Sequence, residues 1–332
     1  MAMHPGQIIY IDGFAGPGAY TGGEPGSPII AIRTFLNHHL TSVRQKDVQF
    51  LFIEQDPARC RHLEQLLADY SETTQYRVFE GNFDETMTGL LRRLEETQTR
   101  LAPTFAFIDP FGYSHTPMKT IQRLMRHPKC EVLITFMYEE INRFLKADYT
   151  GKEDQYNSLF GTSEWQHRAN TAIGAKARRD NLHNLYQEQL KNQANARYVR
   201  SFCMRNCHNA TDYFLFFATN SLLGMEKMKQ AMSGVDPTGA FVFSDFTDSN
   251  QMQLFSEPNY GELERLLSKH FQGRVVSIEE VTEYVIADTP FYKYKAEALK
   301  PMEGASKIEV ISVDPKRRKG TYAEGKTRIR FL

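Results

Sequence analysis

Four short runs place chemically capable residues directly after apolar stretches. The first is Ile8-Ile9-Tyr10-Ile11-Asp12-Gly13-Phe14-Ala15-Gly16-Pro17-Gly18. An acid closes a strand-like run and enters a loop carrying Gly13, Gly16 and Gly18, where the backbone can turn sharply and approach a ligand that a Cβ would hold off. The spacing is G-x-x-G-x-G rather than the G-x-G-x-x-G of dinucleotide fingerprints, and no P-loop Lys-Ser/Thr follows, so pyrophosphate cradling is the weaker reading. The second run, Leu51-Phe52-Ile53-Glu54, ends in a carboxylate suited to both hydroxyls of a ribose. The third leads into Gly81-Asn82-Phe83-Asp84, a polar edge and an apolar face for a purine, although Asp84 reads equally well as a helix N-cap. In order, these tips describe a crevice for an adenosyl ligand, with Asp12, Gly13, Phe14, Gly16, Gly18, Glu54, Asn82, Phe83 and Asp84 around it.

The fourth run is Phe107-Ile108-Asp109-Pro110-Phe111-Gly112-Tyr113. An Asp before Pro is held extended, so the Asp109 carboxylate and the Pro110 carbonyl can face one point as two acceptors. An exocyclic amine offers two N–H donors to such a pair. Phe111 could stack on the ring that carries it, worth ~1–3 kcal/mol. Holding the nitrogen lone pair toward an electrophilic methyl is then chiefly a matter of positioning. The plainer alternative is a Pro-Gly turn with Asp109 capping it.

These runs need a scaffold that brings their ends together. Strand candidates Gln7–Asp12, Val48–Glu54, Tyr76–Phe79, Thr104–Asp109 and Glu131–Met137 alternate with helix candidates Pro28–Leu40, Pro57–Tyr70, Phe83–Thr97 and Pro117–Arg126. That order predicts an α/β, Rossmann-like doubly wound parallel sheet covered on both faces. Residues 138–197 read as a basic helical insertion. Strands Tyr198–Met204 and Tyr213–Thr219, a helix Ser221–Met232 and a short strand Ala240–Phe243 complete a first domain, 1–245, before a polar linker at 246–258. The remaining segment, 259–332, changes rhythm: helices Tyr260–Phe271, Ile278–Ala287 and Phe291–Pro301, then strands Lys307–Val313 and Lys326–Phe331 around a basic loop. Ser277 with Glu280 is a capping-box signature. Three short helices followed by a long-looped hairpin suggest a small winged helix-turn-helix.

The motifs quoted above, together with Glu24-Pro25-Gly26-Ser27-Pro28, resemble the three-Cys-motif partner protein family, TcmP, over most of the chain. The resemblance implies a class I S-adenosylmethionine-dependent methyltransferase fold, usually encoded beside a phage-associated protein that carries a three-cysteine motif. Asp109-Pro110-Phe111-Gly112 is also similar to the corresponding run of tRNA guanine-N2 dimethyltransferases. By that likeness Asp109, Pro110, Phe111 and Gly112 line the methyl-acceptor pocket. Family members generally carry a helical segment ahead of the first strand, and here only about seven residues precede it; either the chain starts earlier or that face stays open.

Composition narrows the field. The 332 residues balance 40 Lys+Arg against 40 Asp+Glu, which excludes nucleic-acid binding by bulk charge. Charge is local instead: residues 165–210 hold eight basic residues against two acids, and 259–332 fourteen against eleven. Lys293, Lys295, Lys316, Arg317, Arg318 and Lys319 are the expected phosphate contacts, with Arg178 and Arg179 extending them. No run approaches the ~18 apolar residues of a membrane span, and no signal-peptide pattern opens the chain. Four scattered cysteines suggest a reducing cytoplasm rather than a disulfide framework. Cys203, Cys207 and His208 invite a metal reading, but Ala210 stands where a third cysteine is needed, so no metal is expected. The expected activity is methylation of a nucleobase exocyclic amine in RNA or DNA, with the three-Cys-motif protein as partner. The alternatives are a non-catalytic or cofactor-sensing scaffold for that partner and, less in keeping with the glycine spacing, a nicotinamide-dependent oxidoreductase.

Overall fold

The computed structural model describes residues 6–112, 116–147, 151–236, 238, 240–244 and 258–332. The expected linker lies outside the described residues except for Pro258. The chain forms two compact units, one running to Ser201 with Thr211–Ser221 and the other comprising Phe202–Ala210 with Leu222–Leu332. The second unit therefore takes in residues the sequence reading placed in the first domain.

The first unit opens β1 (Gln7–Asp12), α1 (Ser27–Leu36), α2 (Thr41–Arg44), β2 (Asp47–Glu54), α3 (Pro57–Leu67), β3 (Gln75–Glu80), α4 (Phe83–Glu96), β4 (Thr104–Ile108), α5 (Met118–Met125) and β5 (Cys130–Phe136). β1 lies between β2 and β4, parallel to both, and β2–β3 and β4–β5 are parallel as well. Phe50, Leu51, Phe52 and Ile53 in β2 and Ile134, Thr135 and Phe136 in β5 are buried in succession, as strands covered on both faces require. Each parallel step needs a crossover, and α1, α3, α4 and α5 supply these. Four helices follow: α6 (Tyr138–Ala147), α7 (Glu153–Phe160), α8 (Glu164–Asn170) and α9 (Gly174–Asn192). They bury Tyr156, Phe160, Trp165 and Tyr186, and the Trp165 indole N–H donates to Asn157 Oδ1 at 2.9 Å. Phe160 and Tyr186 lie 5.8 and 4.6 Å from the Phe136 ring of β5, so the apolar faces of this basic stretch pack on the sheet.

Two further strands, β6 (Tyr198–Arg205) and β7 (Thr211–Thr219), flank a tight turn. Asn206 Oδ1 accepts from His208 N and Ala210 N, and Asn209 takes a positive φ of 57°, so the polar run seen in the sequence reverses the chain. β7 consequently runs antiparallel to β5, with Ile134 opposite Phe216. After α10 (Leu222–Val235) comes β8 (Val242–Ser244). The sheet order is β3-β2-β1-β4-β5-β7-β6-β8. The sheet is Rossmann-like and parallel through β3-β2-β1-β4-β5, as expected, with an antiparallel β7 between β5 and β6.

The second unit continues with α11 (Tyr260–Phe271), β9 (Val275–Ser277), α12 (Ile278–Asp288), α13 (Lys300–Gly304), β10 (Ile308–Ser312) and β11 (Thr327–Phe331). β9, β10 and β11 form an antiparallel sheet in the order β10-β11-β9. β9 escapes the sequence reading because three residues between a glycine turn and a helix cap carry no periodicity. The Ser277–Glu280 capping box is present. The expected helix Phe291–Pro301 is instead a π turn at Lys295–Leu299 leading into α13. Pro301 has no N–H to continue an upstream α ladder, and Leu299 N reaches back five residues to Tyr294 O. A core of Leu263, Leu267, Phe271, Val281, Val285, Leu299, Met302, Ile329 and Phe331 binds these elements.

Candidate active site

The switch in strand order falls between β1 and β4, and open α/β sheets form their binding crevice at the carboxyl ends of strands around such a point. Hydrogen bonds pull the tips together: Gly13 N donates to Phe107 O, Ala15 N to Ile53 O and Gly81 N to Glu54 O, each at 2.9 Å. A cleft of about 580 Å³ opens there, lined by Gly13, Phe14, Glu54, Arg59, Phe83 and Phe111 among others.

Asp12, at the tip of β1, is fully buried. Its Oδ1 accepts from Phe14 N at 3.2 Å, no donor reaches Oδ2 within hydrogen-bond geometry among the described residues, and Asp12 is not among the residues lining the cleft. Burial pushes its carboxyl up to about 6; the Ser27 hydroxyl and the Phe14 N–H oppose that, and the nearby Asp109 and Glu54 charges add to it. Gly13 has no room for a side chain, because a Cβ there would lie 2.7 Å from the Phe83 ring. Gly16 N donates to Glu54 Oε2 at 2.9 Å. Gly18 turns away from the cleft and packs on α3, where a Cβ would meet Leu63 at 2.8 Å. The three glycines thus do three separate jobs, and of them Gly13 alone lines the cleft.

Glu54 closes β2 as expected and lines the cleft. Its Oε1 accepts from Asp56 N at 2.8 Å, so each carboxylate oxygen already holds one backbone N–H. One lone pair on each remains for a ligand. Asp56 in turn caps α3, its Oδ1 accepting from Ala58 N and Arg59 N. This draws Gln55, Asp56, Pro57 and Arg59 to the rim, residues that the sequence reading missed. The Asp-Pro pair two residues beyond the strand-end acid was the available signal, since it fixes where the next helix must begin.

At the β3 tip the assignments change places. Asn82, not Asp84, is the N-cap of α4, accepting from Asp84 N at 2.8 Å. The Asp84 carboxylate instead accepts from the Thr120 hydroxyl of α5. Neither Asn82 nor Asp84 is among the cleft-lining residues, whereas Phe83 is, its ring 5.4 Å from that of Phe14.

Beyond β4, Asp109 is exposed as a residue, and none of Asp109, Pro110 and Gly112 is among the cleft-lining residues; the surrounding protein still partly desolvates the Asp109 carboxyl and raises it above its ordinary range, with a Thr135 hydrogen bond opposing. Pro110 O accepts from Gly112 N at 3.0 Å in a tight turn with Gly112 at φ 107°. The turn of the plainer reading is present, no Asp109 cap on it is seen among the described residues, and no second donor reaches Pro110 O among them. Phe111 is 72 % exposed, and the Arg59 guanidinium lies 5.8 Å from its ring centroid.

The basic residues of the second unit divide. Lys316, Arg318 and Lys319 are exposed on the loop between β10 and β11. Arg317 is not a free phosphate contact: its two terminal nitrogens donate to the Glu303 carboxylate at 2.8 Å each. Lys295 lies 3.8 Å from Glu324, and Lys293 lies over the Tyr292 ring. Arg178 donates to Asn142, and Arg179 is paired with Asp180.

No family model and no curated protein matches the chain. Among solved structures it is similar to a Klebsiella pneumoniae protein assigned as an O-methyltransferase (12% identity, 65% of this chain and 74% of that one, TM-score 0.36). It is also similar to an S-adenosylmethionine-dependent methyltransferase of Methanosarcina mazei (11%, 64% and 92%, TM-score 0.31). A third is the geranyl diphosphate C-methyltransferase of Streptomyces coelicolor A3(2), bound to Mg2+, geranyl diphosphate and S-adenosyl-L-homocysteine (11%, 64% and 72%, TM-score 0.27).

Proposed function

We propose that the chain is an S-adenosylmethionine-dependent methyltransferase acting on an exocyclic amine of a nucleobase in RNA or DNA, in company with a three-Cys-motif protein. The observation that carries this reading is the convergence of Gly13, Glu54, Phe83 and Phe111, from the ends of four neighbouring strands, on one cleft. The residues present fit an adenosyl cofactor. Glu54 would hold the ribose diol with the lone pair left on each oxygen, and Gly81 and Phe83, which line the same cleft, would flank the purine. When bound, that cofactor supplies a methyl group made electrophilic by its sulfonium.

The protein's part is orientation. The Asp109 carboxylate and the open lone pair of Pro110 O accept the two amine hydrogens, which aims the nitrogen lone pair. Phe111 offers its exposed ring for stacking. A carboxyl raised above its ordinary range is also a better acceptor for the proton the amine must shed. In the second unit, the order helix, strand, helix, helix, strand, loop, strand supports a winged-helix reading, with Lys316, Arg318 and Lys319 on the wing.

Tritium transfer from labelled cofactor into total RNA and DNA tests the reading, with Asp109→Ala as comparison. Incorporation unchanged by that substitution removes the acceptor pocket. Nucleic-acid affinity should fall steeply with salt, and a flat response removes the nucleobase part. A scaffold reading is favoured by one feature, the use of Glu54 and Pro110 by the chain's own N–H groups; cofactor binding with no transfer to any nucleic acid would select it.

A further inference from the structure

Arg59 is the one cation among the residues lining the cleft. Its backbone is fixed, because Arg59 N donates to Asp56 Oδ1 at 3.0 Å in the capped first turn of α3. The carboxylates nearest in sequence are engaged by backbone N–H groups: Glu54 holds Gly16 N and Asp56 N, with one lone pair left on each oxygen, and Asp56 Oδ1 holds the helix N-terminus. No ion pair is formed by Arg59 among the described residues; its guanidinium lies over the exposed ring of Phe111 instead. At 5.8 Å from the ring centroid this is a cation–π attraction, and with no ion pair on the guanidinium among the described residues its N–H fork stays available for a bidentate oxyanion.

Phe111 follows Asp109 and Pro110, the two acceptors assigned to the amine. An aromatic ring one residue beyond them, backed on one side by a cation, leaves its other face for a flat acceptor. The fork of the same cation then lies beside whatever that acceptor is attached to. From these placements we infer that Arg59 is a positioning residue that grips the phosphodiester flanking the target base, so that base and phosphate are read together by Phe111 and Arg59. This inference rests on the nucleobase reading above. It narrows the acceptor to a nucleotide within an unpaired strand, in preference to a free nucleoside or a protein amine. Arg59 would do so without serving the cofactor, whose ribose falls to Glu54.

The test uses the full chain with fluorescently labelled 12-residue single strands, one arm RNA and one arm DNA, by anisotropy across a salt series. S-adenosylmethionine affinity is measured in parallel by calorimetry. Arg59→Ala is expected to weaken strand binding about tenfold and reduce the salt slope by about one in the arm that is the substrate, leaving cofactor affinity within about twofold. Arg59→Lys should restore the slope, since the charge returns, but only part of the affinity, since the fork does not. Strand binding indifferent to Arg59→Ala overturns the inference while leaving the methyltransferase reading intact. Cofactor affinity falling in step with strand affinity overturns it as well, by assigning Arg59 to the cofactor. A wild-type chain that binds neither strand removes the inference together with the nucleobase part of the proposed function, and one that binds strands through Arg59 but no S-adenosylmethionine removes the methyltransferase reading alone.

Discussion

Asp12 and Gly13 sit side by side and are constrained in opposite ways, one electrostatically and one sterically. The folded chain holds a proton on Asp12 more tightly than the unfolded chain, since its carboxyl is shifted from 3.8 to about 6. Its contribution to stability is therefore complete below 3.8 and is lost as pH rises through about 6. Asp12→Asn should stabilise the protein at pH 8 by on the order of 1–3 kcal/mol and give little gain near pH 4. Thermal melts at the two pH values check this, and an equal gain at both would show that burial of charge is not the cause. Gly13→Ala forces a contact with the Phe83 ring and should cost about 1–3 kcal/mol, less in a Phe83→Leu background. Gly16 has open space around it but a φ of 65°, so Gly16→Ala should cost about 1–2 kcal/mol in either background. Denaturant midpoints of the single and double variants separate crowding from backbone strain.

Elements obey the same local chemistry, modified where tertiary partners intervene. The loop between β10 and β11 looks like a free basic arm, yet Glu303 on α13 gathers it in. Its carboxylate accepts two bonds from Arg317, one from Gly320 N at 2.9 Å and one from the Tyr322 hydroxyl at 3.0 Å. The Arg317 hydrogen bonds hold the Glu303 carboxyl below the usual range. Its stabilisation is thus present above the ordinary carboxylate value and disappears as pH falls through the lowered one. Glu303→Gln should cost about 1.5–3 kcal/mol at pH 7 and less in acid, with faster amide exchange across residues 313–326. Exchange left at wild-type rates would mean the loop is ordered by something else. Lys316, Arg318 and Lys319 are thereby displayed on a tethered loop rather than a loose one.

At the scale of the whole molecule, one buried lysine explains why α10 belongs with the C-terminal elements. Lys229 is 0 % exposed, and its Nζ donates to the carbonyls of Val285, Thr289 and Phe291 at 3.0, 2.5 and 3.1 Å. A cation at the carboxyl end of α12 satisfies acceptors that the helix itself cannot. Lys229→Met should leave those carbonyls buried without it and destabilise the second unit by about 2–4 kcal/mol. Hydrogen exchange would register this as lost protection in α12 with β1–β5 unaltered, whereas uniform loss across both units would contradict the division.

The alternation of β1–β5 with α1, α3, α4 and α5, the acids at strand ends and the capping box were legible in the sequence, because each is written in local periodicity and turn chemistry, whereas the three-residue β9 and the π turn before α13 were not. β1 from Gln7 to Asp12 and α11 from Tyr260 to Phe271 coincide with their expected limits. Long-range structure decided what those residues face. Asn82 became the cap and Asp84 an inter-helix tie, Arg317 was taken by a carboxylate fourteen residues away in sequence, and Arg59 came to the cleft through a cap two residues beyond a strand. A side chain's type is fixed by the sequence. Which of several competing partners it meets depends on distances set only when separate segments pack, and that competition is what the tertiary structure resolved.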